Sequence, residues 1–202
     1  MIRLQTLISA LRVKDTTIFE LLEQEFYYGD FIFFPQLTAY LGRIANINTR
    51  LVKEVGILSE LVYLYAKIHG SISTEGTKGE KFCKTVQMPV LLGDLFLGKF
   101  YKTLHEYARE DTLTIYLEFM KELNRERIGK LEKPSGEIFN WIALLTETTV
   151  NVLCMLAGIT AEEKDILYNA AQNFREEYGT VFHEERITGL SALEQRLQAE
   201  LY

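Results

Sequence analysis

The sequence predicts an all-α fold. Residues that cap helices recur at intervals suited to helices, and no run alternates apolar and polar residues over six positions between turn dipeptides. The one β-like tetrapeptide, from Phe31 to Phe34, precedes Pro35 and has no visible partner strand. We therefore expect it to form an aromatic plug in the core.

The first predicted helices have clear ends. Asp15 can cap a helix that Gly29 stops, and Asn48 can cap a longer helix that Gly70 closes. A helix of 22 residues counted from Asn48 would span about 33 Å, the width of a domain.

A polar, glycine-rich loop runs from Gly70 to Lys84 and separates two strongly apolar segments. Loops of this length inside compact domains are often functional. The next helix is expected to begin at Pro89, because proline is favoured in the first helical turn.

Three further helices are predicted in the second half of the chain. Ser135 and Gly158 bracket a long one, and the segment 160–163 (TAEE) forms a capping box for the next, which Gly179 is expected to stop. The segment 191–194 (SALE) repeats the capping box before a final helix.

The composition indicates a single helical domain over residues 1–202. Hydrophobic residues make up 48% of the chain and charged residues 25%, so it can bury a core and is not intrinsically disordered. The net charge of −6 and the pI of about 5.2 argue against a nucleic-acid partner, which requires clustered Lys and Arg.

The first residues lack a long enough apolar stretch for a secretory signal, and the most apolar segment, 138–160, contains Glu147. We therefore expect a cytoplasmic protein without a transmembrane segment.

Local motifs do not assign a chemistry. His69, His105 and His183 are far apart, and none belongs to the His-Glu-x-x-His pair of a zinc protease. Cys83 and Cys154 form no metal-binding pair, and no Gly-x-Ser-x-Gly elbow occurs.

The most informative segment is 88–105 (MPVLLGDLFLGKFYKTLH). At 100° per residue it has a polar stripe opposite an apolar face. The stripe contains Lys99, Lys102, Thr103 and Glu106, and the face contains Leu97, Phe100, Tyr101 and Leu104. Asp94 falls about 50° from the centre of the apolar face, where a carboxylate is costly unless it is hydrogen-bonded. Two interpretations stay open: a buried, hydrogen-bonded Asp near a helix N-terminus, or the remnant of a polar site.

This Gly-Asp helix resembles that of the trans-isoprenyl diphosphate synthases. In that family a helix ending in an aspartate-rich motif, a loop and a VLxGDxL helix occur in this order. The segment 61–69 (LVYLYAKIH) resembles the helix leading into the first motif, and the segment ending at Gly158 resembles the family's LAG helix. The resemblance implies an isoprenoid-synthase-like antiparallel helical bundle, which we expect to be shortened at the C-terminus.

The family's aspartates are missing at both motif positions. The residues that stand there instead are Gly70, Ser71 and Thr74 at the first motif and Glu184, Glu185, Arg186 and Ile187 at the second. Ionising an allylic diphosphate needs Mg²⁺ held by several carboxylates. The resemblance therefore implies no catalytic, cofactor-binding or metal-binding residue in this chain. Adjacent residues on a helix point about 100° apart, so the two Glu side chains are more typical of a solvated face.

A closer likeness exists within the superfamily. The segments 90–104 and 119–130 resemble the small subunit, component I, of bacterial heptaprenyl diphosphate synthase. That resemblance implies a non-catalytic subunit with a larger partner that binds Mg²⁺. The two subunits together would make the C35 chain used for menaquinone. The residues expected at the partner interface, or in control of chain length, are Asp94, Phe96, Leu97, Phe100, Tyr101 and Leu104. Taken singly, aromatic residues at helical spacing are also typical of a core.

Two alternatives stay open. A stand-alone prenyltransferase with unusual ligands would be active as a purified single chain. A helical interaction module or apolar-ligand-binding module that has kept the fold would co-purify with no prenyltransferase. The isolated chain could also form a homodimer.

Overall fold

The computed structural model describes residues 33–70, 72, 86–132 and 140–188, apart from the side chains of residues 88, 130–132 and 179–188. The helices in these ranges are α1 (Phe33–Ile44), α2 (Thr49–Gly70), α3 (Met88–Glu106), a short 3-10 helix (Glu110–Thr112), α4 (Leu113–Glu132), α5 (Trp141–Ala157) and α6 (Ala161–Thr188). The described ranges contain no β-strand, so the all-α prediction is confirmed for them.

Several helix ends lie where the capping residues predicted them. The side chain of Asn48 accepts a hydrogen bond from the Arg50 backbone N–H at 2.8 Å, and α2 ends at Gly70. Gly158 ends α5 with a φ of 66°, a left-handed conformation that favours glycine. The Thr160–Glu163 capping box forms as expected: the backbone N–H of each residue donates to the side chain of the other, at 3.1 and 3.4 Å.

Two predicted ends are wrong. Helix α5 is capped by Asn140, whose side chain accepts from the Ala143 backbone N–H at 3.1 Å, and not by Ser135. Helix α6 continues past Gly179 to Thr188, because an interior glycine costs only about 1 kcal/mol and does not by itself stop a helix. The predicted helices at 15–29 and after 191, most of the loop before residue 85, and Ser135 lie outside the described residues.

Helix α2 is the central element, and 13 of its 22 residues are buried. Helix α1 packs against it in the antiparallel sense, because Gly42 meets Val52 near one end and the Phe34 backbone N–H donates to Glu60 Oε2 near the other. The two helices approach closely at Gly56: a Cβ there would lie 2.9 Å from the Cα of Pro35. Only glycine allows this crossing.

The remaining contacts of α2 set the directions of three further helices. Helix α3 runs antiparallel to α2, since His69 contacts Gly93 and Glu54 bonds to Arg109 just beyond the end of α3. Helix α4 runs parallel to α2, because Ser59 pairs with Tyr116 and the Ala66 carbonyl pairs with Arg127. Helix α5 is antiparallel again, with Thr149 beside Ser59 and Trp141 stacked on Tyr63. The described helices therefore form a largely antiparallel bundle around α2.

The aromatic plug is confirmed for the part of it that the structure describes. Phe33 and Phe34 are buried at the start of α1. The ring of Phe33 contacts Tyr178 of α6 at 5.0 Å, and that of Phe34 contacts Tyr63 of α2 at 5.7 Å. These contacts join α1, α2 and α6 through large apolar surfaces.

Candidate functional site

The site predicted from the sequence falls at the carboxyl end of α2, where three helices meet. The residues there are Tyr65 and His69 of α2, Gly93 and Asp94 of α3, and Arg127 of α4, which we call the His69 cluster. Because α3 runs antiparallel to α2, the last turn of α2 lies beside the second turn of α3. The two segments that carried the family resemblance are therefore neighbours.

The imidazole of His69 lies directly against the backbone of α3. A Cβ added at Gly93 would be 2.0 Å from Cδ2 and 2.1 Å from Nε2 of His69, so no other residue fits at position 93 without moving the ring. On its other side, the ring contacts Tyr65 with centroids 4.8 Å apart. These contacts leave 23% of the His69 side chain exposed.

Asp94 is at the surface, which corrects the interpretation that it is a buried, hydrogen-bonded carboxylate. Its side chain is 65% exposed, and its Oδ1 lies 3.7 Å from His69 Nε2. That distance is too long for a hydrogen bond, so Asp94 does not hold the imidazole in place through one. A helical wheel places Asp94 near the predicted apolar face, but the residues of α3 that are buried, Leu92, Phe96, Phe100 and Leu104, lie on the side of the helix away from Asp94.

Arg127 reaches from α4 to the carboxyl end of α2. Its Nη2 donates a hydrogen bond to the carbonyl of Ala66 and lies 3.1 Å from where a Cβ of Gly70 would be. A cation there neutralises the carbonyls that a helix leaves unpaired at its last turn. Burial lowers the pKa of Arg127, but an arginine stays charged at any ordinary pH.

These surroundings favour a neutral His69. Burial lowers the pKa of the imidazole, Arg127 lowers it further, and Asp94 raises it by less than the burial effect. Nε2 is inaccessible to solvent and has no hydrogen-bond partner among the described residues. At neutral pH the imidazole of His69 is therefore expected to be uncharged, although a carboxylate and a guanidinium both influence its pKa.

The donor set of the cluster does not suit magnesium. Mg²⁺ takes six oxygen ligands in near-octahedral geometry, and the Mg²⁺ that ionises an allylic diphosphate must be held by several carboxylates. The His69 cluster offers one carboxylate, and the guanidinium of Arg127 opposes a cation at the same place. Within the described ranges, no group of three or more His, Cys, Asp and Glu side chains could hold a metal ion.

The residues predicted at the two eroded motifs are only partly described. Gly70 is the exposed last residue of α2, next to Arg127, whereas Ser71 and Thr74 lie outside the described residues. At the second motif, Glu184, Glu185, Arg186 and Ile187 belong to the backbone of α6, and their side chains lie outside the description.

The residues predicted for the interface divide into two groups. Phe96, Phe100 and Leu104 are at most 3% exposed and belong to the core of this chain, so they present no surface to a partner. Leu97 is half-buried, and Tyr101 is 41% exposed. The interface prediction therefore narrows to Asp94, Leu97 and Tyr101, and for these residues it stays a prediction.

A second polar cluster, which the sequence reading missed, lies at the opposite end of α2. The carboxylate of Glu54 is almost fully buried and accepts hydrogen bonds from Arg50 at 2.8 Å and from Arg109 at 2.7 and 3.0 Å. Burial raises the pKa of Glu54, but the two arginines outweigh it and hold the pKa below its usual range. This ion cluster joins α2 to the turn after α3. Its signal in the sequence is an acidic residue, Glu54, within a mostly apolar helix and four residues after Arg50.

A third polar feature crosses the core between α2, α4 and α5. The hydroxyls of Tyr116, Ser59 and Thr149 are hydrogen-bonded in series at 2.9 Å each, and Thr149 also bonds to the Leu145 carbonyl. Burial raises the pKa of Tyr116, so its hydroxyl stays protonated. Because these buried groups satisfy one another, they fix the relative positions of three helices.

Comparison of the chain with models of protein families, with curated proteins and with solved structures found no match. None of the described helices is long and apolar enough to cross a membrane.

Proposed function

We propose that this chain is the non-catalytic subunit of a heteromeric trans-prenyl diphosphate synthase that makes heptaprenyl diphosphate for menaquinone. The observation that carries the proposal is the contact between His69 and the Gly93-Asp94 pair. The resemblance implies an antiparallel bundle, in which two helices joined by one loop are typically neighbours, and in this chain the two corresponding segments are in contact. An isoprenoid-synthase-like bundle and a cytoplasmic location are parts of the same proposal.

The chemistry would then belong to the partner. Departure of an allylic diphosphate needs several carboxylates around Mg²⁺ and cations around the leaving group. The His69 cluster supplies Asp94 alone as a carboxylate, next to a neutral imidazole. A catalytic subunit that carries both aspartate-rich motifs would bind Mg²⁺ and both substrates.

The contribution of this chain would be to shape the tunnel in which the product grows. Each isoprene unit buries five carbons, which is worth about 4 kcal/mol at about 0.8 kcal/mol per carbon. Elongation ceases to be favourable where an apolar tunnel ends, so a subunit without catalytic groups can set product length. Leu97 and Tyr101 are the apolar α3 side chains of the predicted interface that are not fully buried.

The test is a reconstitution with three arms. This chain alone, a candidate catalytic subunit alone and the mixture are each incubated with Mg²⁺, farnesyl diphosphate and isopentenyl diphosphate. We expect long-chain product only from the mixture. Long product from this chain alone would contradict the proposal and support a stand-alone enzyme. If the mixture made no more long product than the candidate subunit alone, the regulatory role would be refuted.

Variants on α3 test the role in product length. Leu97→Ala and Tyr101→Ala should shift the product distribution or weaken association, while leaving the isolated chain folded. Phe100→Ala is the comparison for a core position: it is fully buried, so it should cost about 3–5 kcal/mol of stability. Unchanged product and association in both α3 variants would refute control of chain length by this face.

A second candidate is a helical interaction module that has left prenyl chemistry. It is favoured by two large apolar side chains on α3, Leu91 and Tyr101, which are 62% and 41% exposed. Such a module would be recovered from cells with a partner that is not a prenyltransferase.

A further inference from the structure

Helix α4 has one face in the core and a second face that no described helix covers. The side chains of Tyr116, Phe119, Met120 and Leu123 are buried on the inner face. On the outer face, Leu117 is 41% exposed and Ile128 is 59% exposed. Single exposed apolar residues are common on protein surfaces, so the question is whether these two belong to one pattern.

The outer residues follow the spacing of a coiled-coil seam. Leu117, Lys121, Asn124 and Ile128 are separated by four, three and four residues, and all four are exposed. This spacing alternates the a and d positions of a heptad, with Leu117 and Asn124 at d and Lys121 and Ile128 at a. Eleven residues along a helix bring Ile128 to within about 20° of Leu117, so the two apolar side chains share one stripe about 16 Å long.

The charges beside the seam are opposite in sign and related by symmetry. Glu118 and Arg125 each follow a d position and lie on the same side of the stripe, seven residues apart. Glu118 and Lys121 have no ion-pair partner among the described side chains, and Arg125 has an exposed pair with Glu122 at 3.0 Å.

A two-fold axis between residues 121 and 124 makes this face complementary to itself. It places Leu117 against Ile128 of the second copy, and Lys121 against Asn124 of the second copy. Glu118 then lies within reach of Arg125 of the second copy, and each of these contacts occurs twice. In an antiparallel pair of helices, a positions pack against d positions in this way, and the flanking charges determine register and orientation.

We infer that α4 is a docking surface for a second copy of this chain, with the two α4 helices antiparallel. One helical stripe is smaller than the interface of about 1,200 Å² that stable complexes bury, and its central layer of Lys121 and Asn124 is polar. We therefore expect a weak dimer. It uses α4, whereas the proposed catalytic partner contacts α3, so a failed reconstitution leaves this test unaffected.

The first measurement is sedimentation equilibrium of the full chain from about 1 μM to 1 mM. We expect a reversible monomer–dimer equilibrium, and Ile128→Glu should raise the dissociation constant at least about tenfold. The matched control is Ile166→Glu on α6, an isoleucine that is 60% exposed and lies off the seam, which should leave the constant unchanged. Unfolding midpoints near that of the parent show that both variants are folded.

Charge reversal then tests the orientation. Glu118→Arg and Arg125→Glu should each weaken the dimer several-fold, because each places like charges together twice. The double variant should restore the dimer, since it recreates both pairs with their signs exchanged. A monomer at every concentration, a dimer insensitive to Ile128→Glu, or a double variant as weak as the single ones would each overturn the inference.

Discussion

The contact between His69 and Gly93 can be tested by adding one methyl group. Gly93→Ala places a Cβ 2.0 Å from His69 Cδ2, well inside van der Waals contact, so the imidazole must leave its position. The ring can swing outward, but it then loses its contacts with Tyr65 and with the α3 backbone. Overpacking of this kind costs about 1–3 kcal/mol. The opposing gain is helix propensity, where Ala exceeds Gly by about 1 kcal/mol.

Gly98 is the matched control for this substitution. It lies on the same helix, and a Cβ there would meet nothing within 4 Å. Gly98→Ala therefore gains the propensity without a clash and should stabilise the chain by up to about 1 kcal/mol. We expect Gly93→Ala to be less stable than Gly98→Ala by about 1–3 kcal/mol, or roughly 2–12 °C in Tm for a chain of this size.

The assay is urea and thermal unfolding of four variants: Gly93→Ala, Gly98→Ala, His69→Ala and the double variant His69→Ala/Gly93→Ala. In the double variant the ring is absent, so adding the Cβ at position 93 should become as favourable as it is at position 98. Equal stabilisation by Gly93→Ala and Gly98→Ala would refute the packing of His69 on α3. If the double variant recovered no stability, the group that clashes with the new Cβ would not be the His69 ring.

Three further predictions concern the packing of α2, the charge of His69 and one strained turn. Gly56→Ala brings a Cβ within 2.9 Å of the Pro35 Cα, so urea unfolding should show a loss of at least about 1–3 kcal/mol; an unchanged midpoint would contradict the close crossing of α1 and α2. The pKa of His69 is lowered in the folded state, so the unfolded chain binds the proton more tightly and stability should fall as pH drops through about 6.5. His69→Gln should flatten that part of the pH profile, and a profile that keeps the same slope would exclude His69 as its cause. Ala108 has a φ of 51°, so Ala108→Gly should raise stability by about 1 kcal/mol in thermal unfolding; a lower Tm would contradict the strain.

The fold could be predicted where the signals are local. Asn48 and the Thr160 capping box are detectable from a few adjacent residues, because a cap is satisfied within one turn of the chain. The start of α5 could not be chosen in this way, since Ser135 and Asn140 are both good caps. The observed start places Trp141 on Tyr63 with ring centroids 5.4 Å apart, a contact between helices that a capping rule does not include.

The site was predictable only in part, for the same reason. The sequence resemblance indicated the end of α2 and the Gly-Asp segment of α3, and these two segments meet. Arg127 could not be found, because its partner, the Ala66 carbonyl, lies 61 residues away in the sequence and no local pattern marks it. The expected burial of Asp94 was wrong, because a helical wheel describes a single helix. It contains no information about which side of that helix its neighbours cover.

We propose that another subunit supplies the catalytic groups and that this chain controls the length of their product. The most direct measurement is a titration of this chain into a fixed amount of the catalytic subunit, with incorporation of isopentenyl diphosphate into long-chain product as the readout. We expect product formation to rise with added chain and to saturate at a fixed molar ratio, with none when the catalytic subunit is omitted. Product that increases in proportion to this chain without the other subunit would contradict the proposed division of roles.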